Sequence, residues 1–265
     1  VTGYYLYGFV TAEAARTPFE AAVPFAAAVT LVAYQDITAV VRPIDPDTFA
    51  TELREHLEPQ NNANNRWIAE QAVAHDIVIQ QYVDAGICPV RFGTILPSEQ
   101  ALLTLLERTH PDVKRTLTDL SGKKEWTLRV WLARDGLAPA PAQGGRAYLQ
   151  ARRATLTQLQ QQRQQCDHYQ HTINQWLQQT DIPFVMQDRR PADSNSQVGV
   201  CELVLLLSDE QVEQWSDYFA QDYVAQDYVA DVGSDTNSDA EKLEHTLSGP
   251  FAPYHFSHFE AVIDK

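Results

Sequence analysis

Residues 198–207 read VGVCELVLLL. A continuous apolar run of this length, followed by the acidic start of a new segment at Asp209, reads as a central strand buried on both faces. Working outward, Asp209–Phe219 has the pattern of a helix, and Arg146 to about Thr180 is a long Gln-rich helix. His245–Phe259 closes the chain with aromatic and Pro residues and is strand-like near each end. The second half therefore runs helix, strand, strand, helix, strand. With its helices on one side of an antiparallel sheet, it is expected to be a ferredoxin-like α+β layer.

The first half has its own pattern. Tyr4–Val10 (YYLYGFV) is a first strand, and Val29–Tyr34 and Ile37–Val41 are two more joined by a tight turn. Asp45-Pro46-Asp47 opens a helix to about Leu57, because Pro fits the first turn and carboxylates suit its dipole. Ile68, Ala72, His75, Ile79 and Tyr82 recur at steps of three and four, so a second helix carries them on one face until Gly86. Ile87–Ile95 reads as one buried strand. Ser98 caps a helix holding Leu102, Leu103, Leu105 and Leu106, and a second short helix is expected after Pro111. Lys124–Leu132 alternates with period two, setting Trp126, Leu128, Val130 and Leu132 on one face.

The boundary between halves is expected in the Pro-, Gly- and Ala-rich stretch DGLAPAPAQGG, residues 135–145. The fold class expected is α+β in two domains: a mixed sheet domain over 1–135, a linker over 136–145 and a ferredoxin-like domain over 146–240. Residues 241–265 form a tail or strand packing on the domains. The pentapeptide Ala220–Val224 repeats at once as Ala225–Val229. Five residues rotate a helix by about 140°, which a packed helix tolerates badly, so the repeat and the acidic 231–244 read as a surface extension. On the long helix, Leu149, Leu156, Leu159, Cys166, Tyr169, Ile173, Trp176 and Leu177 form a near-heptad stripe. It fits a helix packed on its own domain or an oligomerising coiled coil.

Charge and composition exclude several functions. The chain of 265 residues carries a net charge of −15 and has no basic stripe, so nucleic acid is not an expected partner. The longest early apolar stretch, Ala21–Ala33, is too short to span a bilayer and contains Pro24; no leader, spanning helix or membrane partner is read, and a cytoplasmic setting is expected. Cys88, Cys166 and Cys201 are far apart and show no zinc spacing, which fits buried reduced thiols. Ser121-Gly122-Lys123-Lys124 lacks the upstream glycine of a phosphate loop, with Leu117 in its place. Asp235, Asn237 and Asp239 start like a calcium loop, but Ala240 and Thr246 fill the positions that need Gly and Glu. His168 with His171, and His255 with His258, lack further ligands at regular spacing. No catalytic residue, cofactor or metal is expected. His75, on an apolar helix face, reads as a hydrogen-bonded core residue.

Tyr5-Leu6-Tyr7-Gly8, Ala74-His75, Cys88–Thr94 (CPVRFGT), Leu120–Glu125, Gly145–Arg152 and Gly249–Phe256 (GPFAPYHF) occur in that order. Together they resemble the GvpF/GvpL family of gas-vesicle proteins over nearly the whole chain. The resemblance implies a non-enzymatic accessory role in gas-vesicle assembly. It also implies contact with the hydrophobic major shell protein GvpA and other accessory proteins, protection of that protein from aggregation during nucleation, and a place as a minor vesicle component.

Two roles are open for several residues. Phe251, Tyr254 and Phe256 are aromatic anchors for a partner or plain core. Arg91, beside Phe92, is a buried strut between sheet and helix or a binding arginine at a cleft. The alternative function is a small-molecule or enzymatic module with a cleft near His75 and Arg91.

Overall fold

The computed structural model describes residues 2–16, 29–57, 64–133, 145–194, 197–220 and 243–257. The chain is mixed α+β with two sheets, and it divides into two compact units: Val1–Glu125 with Pro250–Lys265, and Trp126–Gly249.

The first unit is built on β1 (Gly3–Thr11), which lies inside the sheet and is buried along nearly its whole length. β2 (Thr30–Tyr34) and β3 (Ile37–Ile44) form a hairpin turned at Gln35, whose φ of 53° is the left-handed conformation a two-residue turn requires. β3 pairs antiparallel with β1 from Gly3↔Ile44 to Thr11↔Ile37. β4 (Ile87–Pro89) and β5 (Ile95–Leu96) also pair with β1, so the sheet order is β2-β3-β1-β4 with β5 beside β1.

The register of β1 against β3 slips between Leu6 and Gly8. This bulge decides which side chains meet. Leu6 pairs with Val41 and Gly8 with Val40, so Tyr7 is the extra residue. A one-residue insertion changes which face later residues occupy. Tyr5, Tyr7 and Val10 consequently join one core cluster despite their mixed parity. Gly8 is needed there because a Cβ would sit 2.6 Å from the Cys88 carbonyl oxygen.

Three helices follow. α1 (Pro46–Leu57) starts where the Asp45 carboxylate accepts the amides of Asp47 and Thr48, at 3.1 and 3.2 Å. α2 (Asn64–Gln80) brings His75, Val78 and Ile79 to the Tyr5 side of the sheet. α3 (Glu99–Leu120) is capped by Ser98, whose Oγ accepts the Ala101 amide at 3.2 Å. Two expectations change here. Pro111 lies inside one continuous α3 instead of dividing two helices. An interior proline costs about 3 kcal/mol. The uninterrupted buried stripe Leu102, Leu105, Leu106, Thr109, Val113, Thr116, Leu117 and Leu120 outweighs it. Residues 87–95, expected as one strand, are two short strands separated by a turn at Gly93, φ 85°.

The second unit consists of β6 (Lys123–Ala133), α4 (Gly145–Gln178), β7 (Phe184–Met186), β8 (Gln197–Ser208), α5 (Asp209–Ala220) and β9 (Leu243–Phe251). The sheet order is β7-β8-β6-β9. β7 and β8 are antiparallel, with Phe184↔Leu205 and Met186↔Leu203. β8 is the expected VGVCELVLLL strand, buried from Val198 to Leu207. Leu128, Val130 and Leu132 of β6 pack with Cys166, Tyr169, Ile173 and Leu177 of α4 and Trp215 of α5. Ser208 and Gln211 cap α5 reciprocally, each amide bonded to the other's side chain.

Here the observed grouping differs from the expected 1–135, 136–145, 146–240 and 241–265. The units divide at 125/126 and 249/250, β6 belongs to the second sheet, and β9 supplies that sheet's edge. The physical reason is that β6's alternating apolar face needs α4 and β8 to cover it. Residues 136–144, nearly all of the expected linker, and most of the repeated pentapeptide and acidic segment lie outside the described residues.

Candidate functional site

The chemistry-bearing side chains of the first unit gather on the Tyr5 face of β1. The Gly93 amide donates to the Tyr5 hydroxyl oxygen at 3.1 Å. That hydroxyl also shares a hydrogen bond with His75 Nδ1, 2.8 Å away. His75 is 3% exposed. Burial pushes its pKa down to about 4, opposed in part by the Val90 carbonyl. Burial likewise raises the pKa of the Tyr5 and Tyr7 phenols. The site is built to hold uncharged polar groups.

Aromatic rings enclose it. Phe49 and Phe92 meet the Tyr5 ring edge-on, at centroid distances of 5.4 and 6.4 Å. Phe92 also meets His75 at 5.8 Å, and Tyr254 stacks over His75 at 6.5 Å. The Arg42 guanidinium carbon lies 5.4 Å from the Tyr5 ring centre and 5.6 Å from that of Phe49. A planar, weakly hydrated cation suits such ring faces.

Arg42 holds the place that Arg91 was expected to hold. Arg91 is exposed, just after β4, and its carbonyl accepts the Thr94 hydroxyl at 2.7 Å. It is a turn residue and not a buried strut, because the chain turns at Gly93 instead of continuing as a strand. The signal for Arg42 was equally visible: a lone arginine inside ITAVVRPI. His75 is the hydrogen-bonded core residue expected, but its phenolic partner seventy positions earlier left no trace in local spacing.

The segment GPFAPYHF is held by a second constellation. Ala252 is buried in the same core as Tyr5. Both oxygens of Glu125 take one residue: Oε2 accepts the His255 amide at 3.0 Å and Oε1 meets His255 Nδ1 at 2.9 Å. The Glu125 side chain is only 6% exposed, so these bonds replace its lost water. Clamped between, the rings of Phe251 and Tyr254 remain 42% and 37% exposed, while Phe256 and Phe92 are half-buried. Of the two roles open for these rings, plain core does not fit the exposed Phe251 and Tyr254; Ala252 and Pro253 are the segment's buried residues.

In the second unit, Glu202 of β8 is buried and takes Arg129 Nε at 3.0 Å and Arg189 at 3.3 Å, an internal pairing for a carboxylate inside an apolar strand. All three cysteines are buried, and burial pushes the Cys88 and Cys201 thiols up to about 12. Among the described residues no three His, Cys, Asp or Glu side chains cluster as metal ligands, and no helix is long and apolar enough to cross a membrane. His258 and the Asp235–Asp239 stretch lie outside the described residues.

A family model described as gas vesicle synthesis protein GvpL/GvpF matches residues 3–258. The chain belongs to the GvpL/GvpF family. Gas vesicle protein L of Streptomyces sp. (strain CB03234) is 31% identical over 104 residues, a match covering 38% of this chain and 37% of that relative. Two crystal structures share the fold. GvpF from Anabaena sp. PCC7120 aligns over 98% of both chains with a TM-score of 0.53 at 15% identity. GvpF from Microcystis aeruginosa aligns over 97% of this chain and 99% of its own, with a TM-score of 0.53 at 14% identity. The family model's own description ties that family to gas-vesicle synthesis.

Proposed function

We propose that this GvpL/GvpF protein is a non-enzymatic accessory factor that binds the hydrophobic shell protein GvpA and keeps it from aggregating while a vesicle nucleates. The observation that carries the reading is the outward placement of Phe251 and Tyr254 on a backbone pinned by Ala252 and by the Glu125–His255 clamp. Rigid, half-exposed rings lose little conformational entropy on binding and are the common anchors of protein interfaces. Arg91 and Phe92 flank the same His75 region and supply a rim. A subunit destined for a gas-facing wall exposes apolar surface before assembly, and a partner with a net charge of −15 keeps a complex with it dispersed. Such a factor works in the cytoplasm and stays as a minor vesicle component. Other vesicle accessory proteins are further partners under this reading. The βαββαβ order of the second unit, with β6 between β8 and β9, supports a ferredoxin-like reading of that unit.

The test mixes the full chain with freshly solubilised shell subunit and follows light scattering and co-sedimentation as the solubiliser is diluted. A soluble complex and delayed scattering are expected. Phe251→Ala with Tyr254→Ala should weaken binding by about tenfold or more, with the unfolding midpoint nearly unchanged. Unchanged binding in the double variant would show that these rings are not the anchors. An aggregation curve indifferent to the protein would overturn the shell-binding role.

A further inference from the structure

The long helix α4 has two different halves. Toward its C-terminus, Cys166, Tyr169, Ile173 and Leu177 are buried in the core of the second unit. From Gly145 to Gln161, by contrast, every residue but Gln158 is exposed. This part is about 25 Å long at 1.5 Å per residue. It carries Tyr148, Leu149, Leu156 and Leu159 in the open, each 37–59% exposed. Helices draw most of their stability from a packed apolar face, and this half lacks one.

Its side chains are sorted around the axis. At about 100° per residue, Tyr148, Leu149, Leu156 and Leu159 fall within an arc of about 160° together with Arg146, Arg152, Arg153 and Arg163. The remaining side is Gln, Ala and Thr. Residues on it, among them Ala154, Thr157, Gln158, Gln161 and Gln165, line an open cavity of about 900 Å³. The Leu/Tyr/Arg face is therefore turned away from that cavity. It also points about 90° around the helix from the stripe buried in the second unit.

Charge identifies what fits it. From Gly145 to Cys166 the helix holds four arginines and no carboxylate, in a chain whose net charge is −15. A second copy would set arginines against arginines. An extended anionic lipid surface would meet the acidic protein as well as this one helix. A compact helix with its own apolar seam and flanking carboxylates meets only the local charge, since exposed charges are screened beyond about 8 Å at physiological salt. We propose that the N-terminal half of α4 is a docking face for an acidic amphipathic helix of a partner protein. This goes beyond the shell-binding reading, uses residues of the other unit, and is tested with a probe that contains no shell protein.

The probe is a fluorescein-labelled synthetic helix of three heptads, with Leu at the seam positions and Glu flanking them. Its anisotropy is titrated with the full chain. Binding on the order of micromolar is expected, weakening as salt rises. The same helix with Lys for Glu should not bind. Leu149→Ser with Leu156→Ser should weaken binding at least tenfold. Arg152→Glu with Arg153→Glu should transfer preference to the Lys helix. All four positions are exposed, so thermal unfolding of these variants should match the parent. Equal binding of the Glu and Lys helices, or binding indifferent to both double variants, would overturn the proposal. So would dimerisation of the chain that Leu156→Ser abolishes, or co-sedimentation with phosphatidylglycerol vesicles while the Glu helix stays unbound.

Discussion

Acidification should weaken the first unit through His75, and the size of the effect follows from its surroundings. Its folded pKa is about 4, against about 6.5 unfolded. Between these values the unfolded chain binds a proton that the folded chain refuses, so stability is present above pH 6.5 and is lost as pH falls toward 4. At 1.36 kcal/mol per pKa unit, the loss from pH 7 to pH 4 is about 3 kcal/mol. His75→Gln removes the titration while keeping an oxygen that can accept the Tyr5 hydroxyl. Urea titrations at several pH values, followed through NMR signals of β1 amides, compare the two proteins. The parent should lose about 3 kcal/mol more than the variant between pH 7 and 4. Parallel curves, differing by under about 1 kcal/mol throughout, would refute the burial argument, as would a His75 NMR titration centred near 6.5.

Other consequences concern packing and access. Gly8→Ala should destabilise the first unit by about 1–3 kcal/mol, because the new methyl meets the Cys88 carbonyl oxygen at 2.6 Å; denaturation midpoints check it. Glu125→Ala should cost about 1.5–3 kcal/mol and raise amide exchange at His255 selectively, since that amide loses its acceptor. Cys88 and Cys201, with thiols pushed up to about 12, should resist alkylation at pH 8 in the native protein and react once urea is added. Labelling of either in the folded protein at the rate of an exposed thiol would contradict that burial.

Local pattern carried the elements. The run at 198–207, the alternation in β6, the Asp45-Pro46 start of α1 and the Ser98 cap were each legible because periodicity and capping involve neighbours in the chain. The family was legible for a similar reason: its segments are short, contiguous and ordered. Pro111 misled because a local rule met a tertiary force, the buried face of α3, that outweighs it.

The composition of the site was a tertiary decision. A bulge at Tyr7 brought Val10 to the face of Tyr5 and Tyr7, and no spacing rule announces a bulge. Arg42 and Arg91 look alike in sequence, each a lone cation in an apolar run; only the turn at Gly93 made one exposed and left the other over the rings of Tyr5 and Phe49. Glu125 and His255 find each other across 130 positions, and that pairing sets which aromatic rings of GPFAPYHF face outward. Apart from the helix through Pro111 and the break at Gly93, sequence by itself determined which segments become helix or strand, because those choices are made over a few neighbouring residues. The partners of the polar groups were decided by long-range burial, which removes water from a group and obliges it to bond whatever the fold brings within reach.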